Sequence, residues 1–165
     1  MDVPEGHVRR RRHLPHHEDP NTTYFLIFTL KEPELCDLSR DDLAPIIIGA
    51  LHHFANRRYH LFEHTVMPDH VHVLLRPIKR DRRCESLWRI THSIKSWTAN
   101  QINRVLGREG ALWLDETYDH SIRNERDRTE KANYILTNPI RSGLVTRLED
   151  WPWYGVGPEP IVEDS

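Results

Sequence analysis

Apolar and polar positions divide this chain into alternating strand-like and helix-like segments. Residues 23–30, Thr-Tyr-Phe-Leu-Ile-Phe-Thr-Leu, are aromatic and β-branched, the composition of a buried strand. A polar connection containing proline follows. With Asp41 or Asp42 as N-cap, a helix is predicted to about Arg57, carrying Ile47, Leu51 and Phe54 on one face. Pro45 then falls in or just past the first turn, where a missing N–H matters little. Tyr59 to Val66 reads as a second strand. The turn Met67-Pro68-Asp69 leads into a third strand that begins at His70 and ends near Arg76. With three residues between them, these two strands must be antiparallel.

Residues 77–83 form a basic connection. Leu87, Ile90, Ile94, Trp97, Ile102 and Val105 then recur at near-helical intervals, which predicts a long amphipathic helix over 85–106, ended by Gly107. Residues 111–114 are a short candidate strand, and the segment 117–123 follows it. A last helix is predicted from about Arg126 to near Asn138, stopped by Pro139 because the residue before proline is pushed out of the α region. Ala132, Ile135 and Leu136 would form its inner face. Tyr134 and Asn138, four apart, would share a different, polar face.

The order β-α-β-β-α-β predicts an α+β fold: a ferredoxin-like (split βαβ) antiparallel sheet with two helices on one face, plus a C-terminal helix carrying Tyr134. The second sheet face then needs either solvent-tolerant residues or a cover. Residues 1–21, rich in Arg, His and Pro, read as a basic N-terminal arm, 22–148 as one domain and 149–165 as a C-terminal tail. Trp151, Trp153 and Tyr154 could stack on bases, but packing against the domain is the better use of that much apolar area.

At 165 residues the chain suits one domain with a real core. No apolar run reaches the length of a membrane span and no hydrophobic stretch opens the chain, so neither membrane nor signal segment is expected and a cytoplasmic location is. The two cysteines, Cys36 and Cys84, lie far apart and are expected as reduced thiols. A formal net charge of −2 does not suggest a nucleic-acid binder. The distribution changes the picture: cations cluster at Arg9 to Arg12, at Arg57-Arg58, from Arg76 to Arg83 and from Arg123 to Arg128. Such patches can grip phosphates whatever the total.

The chemistry centres on His70-Val71-His72. With a side-chain period of two, both imidazoles point to one face of a core strand while Val71 points to the other. His70, His72 and Asn138 would give a divalent ion three donors and leave positions for phosphate oxygens and water. Mg²⁺ or Mn²⁺ suits that set, and two histidines also tolerate Zn²⁺ or Ni²⁺. Tyr134 would be the nucleophile at phosphorus. Asn138 has a rival use as an ordinary helix C-cap, and the two roles do not exclude each other. His64, on the neighbouring strand, is more readily an ordinary core histidine than part of the site.

The pairing of Pro-Asp-His-Val-His at 68–72 with Tyr-Ile-Leu-Thr-Asn-Pro-Ile-Arg-Ser-Gly-Leu-Val at 134–145 resembles the one-tyrosine transposases of the HUH single-strand endonuclease superfamily. The likeness is above all to the REP-associated tyrosine transposases and their insertion-sequence relatives, and it covers roughly residues 22–148. Tyr118-Asp119-His120-Ser121-Ile122-Arg123 also matches, whereas Leu114 follows Trp113 where the family commonly has glutamine. The resemblance implies metal-assisted cleavage of single-stranded DNA beside a folded hairpin (a repeat palindrome), through a covalent 5′-phosphotyrosine and a free 3′-OH that later rejoins strands. It assigns His70 and His72 as the metal pair, Tyr134 as nucleophile and Asn138 as third ligand. Arg123, Arg126, Lys95 and His120 are the candidate DNA contacts. The protein would act as monomer or homodimer and associate with the nucleoid when DNA-bound. Two other functions fit the same residues: a metal-dependent nuclease using water, and a non-catalytic hairpin-binding protein.

Overall fold

Alternation along the histidine strand sets the two faces of the sheet, and each face is covered differently. The computed structural model describes residues 21–161. The predicted arm, with Arg9 to Arg12, and the last four residues of the predicted tail lie outside the described residues. Strand β1 is Tyr24–Thr29, followed by helix α1 (Ala44–Phe54), β2 (Tyr59–Val66) and β3 (His70–Pro77). A two-stranded ribbon, β4 (Lys79–Arg80) and β5 (Arg83–Cys84), precedes helix α2 (Leu87–Leu106). Strand β6 (Tyr118–Ser121), helix α3 (Glu125–Arg141) and β7 (Tyr154–Val156) complete the order. The main sheet runs β6-β1-β3-β2-β7, antiparallel at every junction. This is the predicted α+β, split-βαβ sheet with one strand added at its edge.

Val71, Val73 and Leu75 of β3 face α1 and α2, joining Leu26, Phe28, Ile47, Leu51, Ile90 and Ile94 in the larger core. His70, His72 and Leu74 face the other way. There Phe25, Ile27 and Leu74 pack against Ile135 of α3, so the tyrosine helix is the cover that the second face required. Full burial of an aliphatic side chain such as Leu74 or Ile135 contributes about 1.5–3 kcal/mol, which is what holds α3 to the sheet.

Several boundaries differ from the sequence reading. Helix α1 begins at Ala44 with Leu43 at the N-cap and no side-chain cap, because Asp42 is engaged by Arg40 at 2.6 Å instead. The candidate strand at 111–114 is reduced to a single bridge between Leu30 and Trp113. Helix α3 is capped by the Asn124 side chain, which accepts from the Asp127 N–H, and it runs through Pro139 to Arg141. Asn138 is therefore not its C-cap. A proline in the last turn forfeits one N–H and does not have to end the helix. Residues 151–156 close the sheet edge: Trp151 is buried with its indole N–H donating to the Val66 carbonyl at 3.2 Å, and β7 pairs with β2. Among the described residues no helix is long and apolar enough to cross a membrane.

Candidate functional site

β3 delivers both histidines to the α3 face at its first turn-bound residues. The Nε2 atoms of His70 and His72 converge to 2.8 Å. Nδ1 of His70 is bonded to the Asp69 carboxylate at 2.6 Å, which fixes that ring and leaves its Nε2 free to act as a donor atom. The hydrogen bond to His70 holds the Asp69 carboxyl below its ordinary value. His72 is buried. Desolvation first, and the adjacent His70 second, push its pKa well below the usual imidazole value, while a hydrogen bond with Asn138 opposes them. The His72 ring is therefore neutral near pH 7, and its Nδ1 has no hydrogen-bond partner among the described residues.

Phe25 stacks on His72 with ring centroids 5.6 Å apart and planes within 13°. Tyr134 meets the same imidazole edge-on at 5.4 Å and Phe25 at 6.0 Å, so phenol and imidazole share one apolar wall. Asn138, one helical turn further along α3, is buried against the same face. The predicted separate polar face for Tyr134 and Asn138 is thus corrected: both lie on the inner side, next to Ile135. On the solvent side, the Arg141 guanidinium stands 5.4 Å from the Tyr134 ring centroid, a cation held over a π face.

The donor set has the spacing to hold a divalent ion by few protein ligands. Two nitrogen donors at about 2.1 Å from an ion, on adjacent octahedral positions, stand about 3 Å apart, close to the Nε2 separation here. Among the described residues no three His, Cys, Asp or Glu side chains come together to hold a metal. Any ion would rest on two imidazoles and the neutral Asn138 amide, with its remaining positions given to water and substrate. An open groove of about 620 Å³ reaches His70 and Asp69, lined in part by Met67, Pro68 and Ser142.

No family model matches the chain. Two curated proteins do. A REP-associated tyrosine transposase of Escherichia coli is 29% identical over 98 residues, covering 59% of this chain and 54% of its own length. A Haemophilus influenzae protein described under the same family name is 29% identical over 97 residues, 53% of each chain. Its curated relatives carry the name REP-associated tyrosine transposase. The chain spans about half the length of these relatives. Among solved structures, a REP-associated tyrosine transposase bound to a REP hairpin superposes with a TM-score of 0.66 at 20% identity, over 87% of this chain and 82% of that one. At that identity the superposition establishes a shared fold.

The fold distributes the remaining predicted residues unevenly. Lys95 does not face outward: its ammonium donates to the carbonyls of Leu114 at 2.5 Å and Asp115 at 3.1 Å and to the Thr117 hydroxyl at 3.2 Å. Burial lowers its pKa, and it serves the loop before β6. His120 faces α3 and bonds Asp127 at 2.9 Å. Arg126 is exposed and paired with Glu130 at 3.1 Å. Arg123 is exposed, and its backbone N–H donates to Asp127. His64 is buried on the opposite sheet face, edge-on to His52 of α1, away from the site.

Sequence reasoning gave no site role to Asp69, Phe25, Arg141 or Asp127. Asp69 had a signal, since it directly precedes the first histidine at a turn. Phe25 becomes legible only once the register pairing Ile27 with His72 and Phe25 with Leu74 is known.

Proposed function

We propose that the protein is a single-strand DNA endonuclease and strand transferase in which Tyr134 is the nucleophile. The observation that carries the reading is the approach of Tyr134 to the convergent His70–His72 pair across the β3–α3 interface. In cleavage the Tyr134 oxygen, having lost its proton, bonds to phosphorus while the bond from phosphorus to the 3′ oxygen breaks. The product is a 5′-phosphotyrosine and a 3′-OH that has taken up a proton. Attack by a 3′-OH reverses the step and rejoins strands, restoring the phenol.

His70, His72 and Asn138 would hold a divalent ion, Mg²⁺ or Mn²⁺, with water and phosphate oxygens completing its ligands, and bound there it would supply Lewis-acid stabilisation of charge on the scissile phosphate. Asp69 keeps His70 in the tautomer whose Nε2 lone pair faces the site. Phe25 packs edge-on against the Tyr134 ring on the sheet side and helps fix its position. Arg141, exposed beside the phenol ring, is available to a phosphate oxygen. The hairpin-bound neighbour supports a folded DNA hairpin as the element recognised; the proposal adds a single-stranded flank as the strand cut, by a monomer or homodimer.

The test is incubation with a labelled single-stranded hairpin oligonucleotide and Mn²⁺, followed by a denaturing gel. The reading expects a covalent protein–DNA adduct from the native protein and none from Tyr134→Phe, which still binds. Continued cutting by Tyr134→Phe would favour a water-using nuclease. Binding with no cleavage in any divalent metal would favour a non-catalytic hairpin binder.

A further inference from the structure

Past the far end of β3 from the histidines, the chain projects the β4–β5 ribbon, in which Lys79 pairs with Cys84 and Arg80 with Arg83. Asp81 and Arg82 form its tip with φ of 48° and 64°. Two successive left-handed residues are what a two-residue type I′ hairpin turn requires, and non-glycine residues occupy that region uncommonly. Lys79, Arg80, Arg82 and Arg83 are all exposed, and no carboxylate among the described residues pairs with them. Arg80 and Arg83 stand directly opposite each other. Like charges in that position destabilise a strand pair. A ribbon that places guanidinium opposite guanidinium is poorly suited to standing alone and well suited to a polyanion.

The ribbon continues directly from the strand that carries the metal-type histidines. Seven residue steps from His70 to Pro77 span roughly 23 Å. Arg76, on the His70 and His72 face by alternation, adds a guanidinium at the ribbon end of the strand, 5.7 Å from the Phe62 ring centroid. Site and ribbon are thus separated by a length equal to about seven base pairs at 3.4 Å each, with the cations gathered at the ribbon end. We propose that the β4–β5 ribbon grips the phosphate backbone of the duplex stem of a DNA hairpin whose single-stranded flank enters the Tyr134 site. This inference rests on the function proposed above and adds a second contact that fixes the spacing between stem and cut.

The test measures binding of the full chain to a labelled hairpin with a single-stranded flank, and to the flank alone, over a range of salt. Replacing Lys79, Arg80, Arg82 and Arg83 together by glutamine is expected to weaken hairpin binding roughly tenfold or more near 0.1 M salt and to flatten the salt slope by about two to four, at about 0.9 per phosphate contact. Binding to the flank alone is expected to stay as in the native protein. A variant with the three arginines changed to lysine should bind the hairpin as the native protein does. Footprinting of the native protein, which needs no variant to fold, should protect phosphates of the stem as well as those of the flank around the cut. Unchanged hairpin affinity and slope, equal losses on hairpin and flank, or an unprotected stem would each overturn the inference while leaving the Tyr134 chemistry standing. Failure of the native protein to bind hairpin DNA at all would instead overturn the functional reading, and the ribbon's role with it.

Discussion

Asp127 fastens α3 to the sheet edge, and Asp127→Asn isolates the strength of that fastening. Its carboxylate accepts from the Arg123 backbone N–H at 2.9 Å, from His120 at 2.9 Å and from Lys131 at 3.2 Å. Burial would raise its pKa, but these three interactions outweigh burial and bring it from 3.8 to about 2. At 1.36 kcal/mol per pH unit the difference is worth up to about 2.5 kcal/mol, and solvent at this site near the helix N-terminus screens it to about 1–2 kcal/mol. The folded pKa is depressed, so this stability is present above pH 3.8 and is lost as pH falls through about 2. Thermal unfolding followed by circular dichroism at neutral pH should show the variant melting about 2–8 °C lower. Between pH 5 and pH 2 the native protein should lose more stability than the variant, so the two curves converge. Tyr134 lies seven residues, two helical turns, further along the same stripe of α3, so adduct formation should slow as the helix loosens. An unchanged melting temperature, or curves that stay parallel down to pH 2, would refute this account of how α3 is held.

Two other substitutions separate structural roles from DNA-contact roles. Lys95→Met leaves the Leu114 and Asp115 carbonyls without their ammonium donor and should cost about 1–3 kcal/mol in denaturant unfolding, while the salt slope of DNA binding is unchanged. A reduced slope would restore Lys95 as a phosphate contact. Gly157→Ala would set a Cβ 2.2 Å from the Leu61 carbonyl oxygen, forcing β7 away from β2. A loss of about 1–3 kcal/mol, with faster hydrogen exchange over 154–157, is the expected result, and native-like exchange there would contradict the packing of that edge.

The sequence made some elements plain and concealed others for physical reasons. Strand β2 and helix α2 were legible because period and punctuation agree: Ser86 caps the helix by accepting from the Arg89 N–H, and Gly107 ends it in the left-handed region. The histidine pair was legible because a period of two needs no tertiary information. The extent of α3 is not legible, because asparagine before proline signals a helix end although the last turn tolerates the proline. The inner face of α3 is hidden for a related reason. Asn138 and Tyr134 look polar in isolation, yet the surface they cover is itself polar, made of two histidines. Lys95 looked like a surface cation because nothing in sequence shows loop carbonyls converging on it from twenty residues away. The fifth strand was hidden in a tail whose tryptophans promised packing but not pairing.

The central claim is that one phenol, Tyr134, carries the broken strand. The most direct measurement is mass spectrometry of the protease-digested adduct formed with a single-stranded hairpin oligonucleotide in Mn²⁺. The expected result is a nucleotide-bearing tryptic peptide spanning residues 132–141 with the modification on Tyr134, lost when Tyr134 is replaced by phenylalanine. A nucleotide on any other side chain, or cleaved DNA with no modified peptide, would contradict the account.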